Sequence, residues 1–525
     1  MEALHVYDTT LRDGAQQEGL NLSVSDKLAI SELLDDLGVD FIEGGWPGAN
    51  PKDTEFFERA KSELHLRHAT LAAFGATRKA GTSAAEDAQV RALVDAGASV
   101  VTIVAKSHVR HVELALRTTL EENLAMVRDT VTYLTGHGLR VFLDAEHFFD
   151  GWHLDRDYAL AVVRAAHEAG AEVVVLCDTN GGMLPHQVEE VVADVLAQTG
   201  ARVGAHCHND TGCAAANSVA AVRAGATHVQ GTVNGYGERT GNADLITVAA
   251  NLQFKLGLDA MPPGSFEQAM HVAHAISEVT NVPAYSRQPY VGASAFAHKA
   301  GLHASALKID PNLYQHMDPA MVGNGMRTLV SDMAGRASIE LKAQEAGLDL
   351  TGHPGLVADV LAQVKELELR GWTFDAADAS IELMIRRELD PGCTDYFAVE
   401  SWRVITEGSG DHAASEATVK LHADGTRHVA TGEGNGPVNA LDHALRQALW
   451  RAYPEIDKLE LIDFKVRILD ASHGTDAVTR VLIETSDGET SWNTIGVAGS
   501  IIQASWRALV DGIVYGLLRH DVPIR

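Results

Sequence analysis

The sequence predicts an α/β protein built from an N-terminal TIM (β/α)8 barrel, a helical linker subdomain and a C-terminal duplicated α+β domain. Three observations predict this. Apolar strand-like runs alternate with amphipathic helical stretches through the first half of the chain. Polar residues crowd the C-terminal ends of those runs, the end at which barrel enzymes carry their chemistry. Beyond Cys393 one order of elements, strands and then a glycine-initiated helix, occurs twice.

Taken in order, the strand-like runs cover residues 5–11, 41–46, 69–74, 100–106, 140–147, 172–178, 202–209 and 228–234. Helical patterns such as 25–37, 87–96, 155–169 and 186–198 lie between them. Gly38, Gly97, Gly170 and Gly225 suit helix C-caps, because glycine adopts the left-handed backbone that ends a helix. Eight such units favour a closed barrel over a doubly wound open sheet. The expected barrel spans residues 1–265.

In the expected linker, residues 266–392, helical patterns persist while the strand pattern fades. The expected regulatory and dimerisation domain covers 393–525. Strands are expected there at 397–406 and 417–422, followed by a glycine-rich turn, Gly432-Glu-Gly-Asn-Gly436, that opens a helix to about Tyr453. The second copy places strands at 459–469 and 478–485, and Gly496-Val-Ala-Gly499 opens a final helix to about His520.

Composition narrows the function classes. The chain has 525 residues and a formal charge of −29, which argues against nucleic acid and anionic membrane surfaces as partners. The four cysteines, Cys177, Cys207, Cys213 and Cys393, form no CxxC pair, so neither a zinc ribbon nor a disulfide framework is expected. No basic segment leads into a long apolar stretch, and no apolar run approaches a membrane span. A reducing cytoplasm is therefore the expected location.

Five clusters at strand ends carry candidate chemistry. In His206-Cys207-His208 the two imidazoles share one strand face, as half of a divalent metal site does, although a polar strand end without metal has the same pattern. Asp13, in Asp8-Thr-Thr-Leu-Arg-Asp13-Gly, offers a hard oxygen ligand, and Arg12 suits an anion or a developing oxyanion; a plain salt bridge is the alternative. The loop 234–242 is glycine-rich and ends in Asn242, a further oxygen donor. Asp144 and Glu146 share a face at the end of the fifth strand, where paired carboxylates fit acid–base work or serve as caps. Thr179 after the sixth strand is a candidate hydroxyl donor to a substrate carboxylate. The fold brings these strand ends together, so the clusters support one another.

With these residues in view, the sequence resembles the acetyl-CoA-dependent 2-keto-acid condensing enzymes, the isopropylmalate, homocitrate and citramalate synthases. Residues 8–14, 206–208 and 235–242 carry the likeness in the barrel, and 432–445 and 496–509 carry it in the C-terminal part. The wider superfamily includes hydroxymethylglutaryl-CoA lyase, which lacks the duplicated domain. Within the family, residues 43–51 and 144–151 resemble a citramalate synthase branch.

The resemblance implies a divalent metal, Mn, Zn or Mg, held by Asp13, His206 and His208 with Asn242 in or near its shell. It implies acetyl-CoA as co-substrate and pyruvate as the keto acid, giving citramalate and CoA for isoleucine biosynthesis. An isopropylmalate or homocitrate synthase activity, or a hydroxyacyl-CoA lyase, is the alternative. Arg12 would stabilise the nascent alkoxide, Thr179 would grip the keto-acid carboxylate, and Glu146, or else Asp144, would remove the acetyl proton. His303 and Tyr314 match linker residues that reach the partner subunit's barrel in this family. A homodimer and an amino-acid effector, isoleucine, at the C-terminal domain complete the expectation.

Overall fold

Eight short parallel strands close on themselves in the computed structural model, which describes residues 3–353, 355–409, 412–469 and 477–525. They are β1 His5–Asp8, β2 Phe41–Gly45, β3 Thr70–Ala76, β4 Val100–Lys106, β5 Arg140–Glu146, β6 Val173–Asp178, β7 Val203–Cys207 and β8 His228–Gly231. Closure comes from the β1–β8 pairing, which runs from His5 opposite His228 to Asp8 opposite Gly231. The strands are covered on both faces, which is why they read as apolar runs rather than as alternation. Tyr7, Phe41, Val100, Phe142 and Val173 fill the interior below the rim.

The helices between strands begin and end on local signals. Ser23 caps helix Val24–Leu37 in a reciprocal box with Asp26, and Gly38 ends it at φ 88°.

By internal contacts the chain forms two units. One comprises Met1–Phe296 and Pro319–Gly325; the other comprises Ala297–Asp318 and Met326–Arg525. The second unit opens with two-residue strands β9 Ala297–His298 and β10 Arg327–Thr328, paired in parallel, and with helices Gly301–Leu307, Arg336–Glu345, Leu356–Leu369 and Asp378–Leu389. Two antiparallel sheets follow. The first holds β11 Phe397–Ser409, β12 His412–Ala423 and β13 Thr426–Gly434, backed by helix Pro437–Leu449. The second holds β14 Glu460–Ile468, β15 Thr479–Ser486 and β16 Ser491–Ala498, backed by helix Ile501–Arg519.

The duplication stands, but each copy has three strands, not two. Gly432 and Gly496, expected in turns, lie within β13 and β16. A Cβ on Gly432 would sit 2.8 Å from the Ala440 carbonyl, and one on Gly496 would lie 3.1 Å from the Ala508 nitrogen. These glycines let the backing helix lie on the sheet, so packing overrides their low strand propensity.

Helix Ile501–Arg519 is long and apolar enough by length and composition to cross a membrane, although Gln503, Arg507 and Asp511 interrupt its apolar run. More than half of it is buried, and Leu509, Ile513 and Leu517 join one core with Val481, Ile483 and Trp492.

Candidate active site

The C-terminal rim of the barrel gathers side chains from distant parts of the chain. Asp13 follows β1, and His206 and His208 lie at and just past the end of β7. Asp13 Oδ2 is 3.2 Å from His206 Nε2 and 3.5 Å from His208 Nε2, and the two Nε2 atoms are 3.3 Å apart. All three residues are buried. His208 forms an isolated bridge with Asn242, which brings the glycine-rich loop against the pair of histidines.

Hydrogen bonding fixes which ring nitrogens face inward. His206 Nδ1 donates to Gln230 Oε1 at 2.8 Å, and Gln230 Nε2 donates to Asp144 Oδ1 at 3.0 Å. With its proton on Nδ1, neutral His206 turns a lone pair on Nε2 toward Asp13. Two imidazole nitrogens and a carboxylate oxygen therefore converge, an arrangement that suits a cation between them. Asp13 Oδ2 and Asn242 Oδ1 are buried without a hydrogen-bond partner among the described residues. Bonds of about 2.1 Å to a common ion put neighbouring ligand atoms roughly 3 Å apart, which the observed spacings match. The donor set fits a divalent metal.

Charge at the site is arranged by a second tier. Arg12 donates through Nε to Glu43 Oε2 at 2.5 Å and through Nη1 to Asp13 Oδ1 at 3.1 Å. Its guanidinium lies 3.9 Å above the centre of the Phe74 ring. Glu43, with no exposed surface, also accepts from the Tyr7 hydroxyl at 2.9 Å.

The pKa shifts follow from these neighbours. Burial opposes ionisation of Asp13, but Arg12 and His206 outweigh it and hold its carboxyl well below the usual carboxylate range. Burial also works against charge on His206, yet Asp13 raises its pKa, while burial and His206 push His208 down to about 4. Burial and the charge of Glu43 push Asp144 up to about 7.

Arg12, Asp13, His206 and His208 line a cleft of about 300 Å³. Asp144, Glu146 and Thr179 all face it. Glu146 is ion-paired with Lys106. The Thr179 hydroxyl accepts from the His147 backbone N–H at 2.8 Å and, among the described residues, donates its own proton to no partner. Trp46, Phe74 and Val104 give the cleft an apolar wall.

The rim thus brings together Arg12, Asp13, Asp144, Glu146, Thr179, His206, His208 and Asn242. His303 and Tyr314 belong to the second unit, where their rings stack with centroids 4.1 Å apart. Glu43 and Gln230 were not identified as site residues from the sequence. Gln230 carried a signal, since it is a polar residue at an inward-facing position of a barrel strand, in register opposite His206.

Along its length the chain is similar to known proteins. Residues 3–276 match the HMGL-like family, 290–371 the homocitrate synthase post-HMGL domain-like family, and 375–517 the LeuA allosteric (dimerisation) domain. An (R)-citramalate synthase of Streptomyces coelicolor is 64% identical, over 99% of this chain and 98% of that protein. The (R)-citramalate synthase of Aquifex aeolicus is 47% identical over 99% of both chains. A probable 2-isopropylmalate synthase of Methanopyrus kandleri is 33% identical over 98% of both. Among solved structures, a Bacillus subtilis HMG-CoA lyase aligns with a TM-score of 0.47 and 20% identity, covering 55% of this chain and 97% of that one.

Proposed function

This chain belongs to the HMGL-like family and, within it, to the (R)-citramalate synthases, and from that membership we propose that it condenses acetyl-CoA with pyruvate and hydrolyses the thioester to give (R)-citramalate and CoA. The observation that carries the reading is full-length identity of 64% to one such synthase, with the buried Asp13, His206 and His208 cluster present.

Asp13, His206 and His208 would hold a divalent cation, with the free Asn242 oxygen beside them. When bound, that cation supplies Lewis-acid polarisation of the keto carbonyl. Arg12, locked in place by Glu43 and Asp13, keeps Nη2 without a hydrogen bond among the described residues and aims it at developing negative charge on the carbonyl oxygen. The Thr179 hydroxyl donates to the keto-acid carboxylate.

For the base we favour Glu146. Asp144 is committed to Gln230 and through it to the orientation of His206, whereas Glu146 lines the cleft with Oε2 paired to Lys106 and Oε1 without a hydrogen bond among the described residues, available to take a proton from the acetyl methyl. His303 and Tyr314 serve the barrel of a second subunit, in a homodimer whose LeuA-type domain binds isoleucine as effector. Segments 1–265, 266–392 and 393–525 carry catalysis, linkage and regulation. The location is the cytoplasm.

The test is release of free CoA from acetyl-CoA with Mn, Zn or Mg and a panel of keto acids. Pyruvate is expected to be turned over best. Turnover of 2-ketoisovalerate or 2-ketoglutarate without pyruvate would overturn the substrate assignment.

A further inference from the structure

Behind the catalytic cleft lies a second one of about 340 Å³. Arg12, Gln16 and Trp46 line both. Arg12 is polar and pinned by Glu43 and Asp13, and Gln16 is polar, so among the residues that line both clefts the indole of Trp46 is the largely apolar part of the partition, with its Nε1 buried and without a hydrogen-bond partner among the described residues. Its ring meets Phe74 edge to face, with centroids 5.3 Å apart, and the Arg12 guanidinium lies 3.9 Å from the centre of the same Phe74 ring.

The position of Trp46 is built from below. Its backbone N–H donates to Asp53 Oδ2 at 2.9 Å. Asp53 Oδ1 is held at 2.5 Å by the buried ammonium of Lys27, which also donates to the Gly44 carbonyl at 2.9 Å. Gly45, just before Trp46, has φ 141°, and a Cβ there would sit 2.6 Å from Asp53 Oδ2. The Gly44-Gly45-Trp46 elbow therefore closes over a buried ion pair. A charged pair deprived of water is costly to disturb, so the elbow is a stiff support for the indole.

We propose that Trp46 is the specificity-determining wall of the keto-acid site: its indole closes the catalytic cleft from the space behind and restricts the substrate to a 2-keto acid with a one-carbon side chain. The inference rests on the keto-acid-condensing reading above. With the oxygens of a keto acid toward Asp13, His206 and Arg12, its branch is set, in this proposal, against the Trp46 part of the apolar wall, which Phe74 and Val104 continue. Shortening residue 46 joins the two clefts and gives that branch room.

The experiment uses the full chain with Mn²⁺ and follows CoA release for pyruvate, 2-ketobutyrate and 2-ketoisovalerate in the native protein and in Trp46→Phe, Trp46→Leu and Trp46→Ala. Trp46→Phe keeps an aromatic wall and is expected to keep the preference for pyruvate. Trp46→Leu and Trp46→Ala are expected to raise kcat/KM for 2-ketoisovalerate relative to pyruvate by about tenfold or more, the size of discrimination a methylene or two commands in an apolar pocket. Trp46→Leu carries the test if the alanine variant does not accumulate. An unchanged ratio in variants that still turn over pyruvate overturns the proposal, and so does loss of pyruvate turnover with no gain on the larger acids. A native protein inactive on pyruvate would instead refute the function proposed above, so the two failures are distinguishable.

Discussion

Single residues at this rim divide between those that face substrate and those that aim them. Glu146→Gln is expected to lower kcat by about 10²–10⁴-fold, the usual share of a general base, with metal affinity unchanged. Asp144→Ala is expected to weaken metal binding instead, because it removes the acceptor that orients Gln230. Gln230→Leu removes the acceptor of His206 Nδ1 and should cost about 10–100-fold in metal affinity, measured by metal titration of the folded protein. The HxH pair was legible because alternation on a strand fixes which side chains share a face. Glu43 and Gln230 were not, because their roles come from partners 31 residues away in Arg12 and 86 residues away in Asp144.

Asp8 offers a separate residue-scale test. Its carboxylate accepts from the Thr10 N–H and hydroxyl, both at 2.8 Å, yet burial still pushes its pKa from 3.8 up to about 7. The folded protein therefore binds a proton that the unfolded chain releases between about pH 4 and 7. The stability this group contributes is full below pH 4 and is lost as pH rises through 7, by a few kcal/mol for a shift of this size. Asp8→Asn resembles the protonated form, so denaturation of both proteins at pH 5 and pH 8 should show a smaller loss in the variant. An equal loss would remove Asp8 as the cause.

At the scale of elements, the barrel strands were legible and the third strand of each C-terminal copy was not. Barrel strands are buried on both faces, so their apolar runs are continuous and glycine-capped helices punctuate them. In β13 and β16 the requirement for a close helix selected glycine, and glycine at strand ends reads as a turn. Gly496→Ala tests this, since the added methyl would press on the backbone of helix Ile501–Arg519 around Ala504 and Ala508. It is expected to destabilise the second unit by roughly 1–3 kcal/mol in thermal unfolding. Gly499→Ala, with nothing within 4 Å of the new methyl, should be tolerated.

At the scale of the whole molecule, the order of barrel, helical segment and duplicated domain was legible, because each has its own hydrophobic rhythm. The interleaving of the two units was not, since it depends on which side chains a short segment packs against. The chain leaves the first unit after Phe296, returns for Pro319–Gly325 and leaves again. That return is anchored: Asn324 Nδ2 donates to the Tyr290 carbonyl at 2.9 Å and the Gly292 carbonyl at 3.0 Å. The excursion is anchored too, by the Gly301 N–H on the Met333 carbonyl at 3.2 Å and by Ala304 packed with Ala337 and Leu341.

Each unit takes residues from two separate stretches of the chain, so the two units are exchanged along the sequence rather than following one another. One protease cut at Lys308 leaves each fragment with a piece built into the other's unit. Such a nicked protein is expected to run as a single species on native size-exclusion chromatography and to separate into two bands only in denaturant. His303, in helix Gly301–Leu307, and Tyr314 both belong to the second unit, so even a broken backbone leaves the two side chains attached to the unit they stack in.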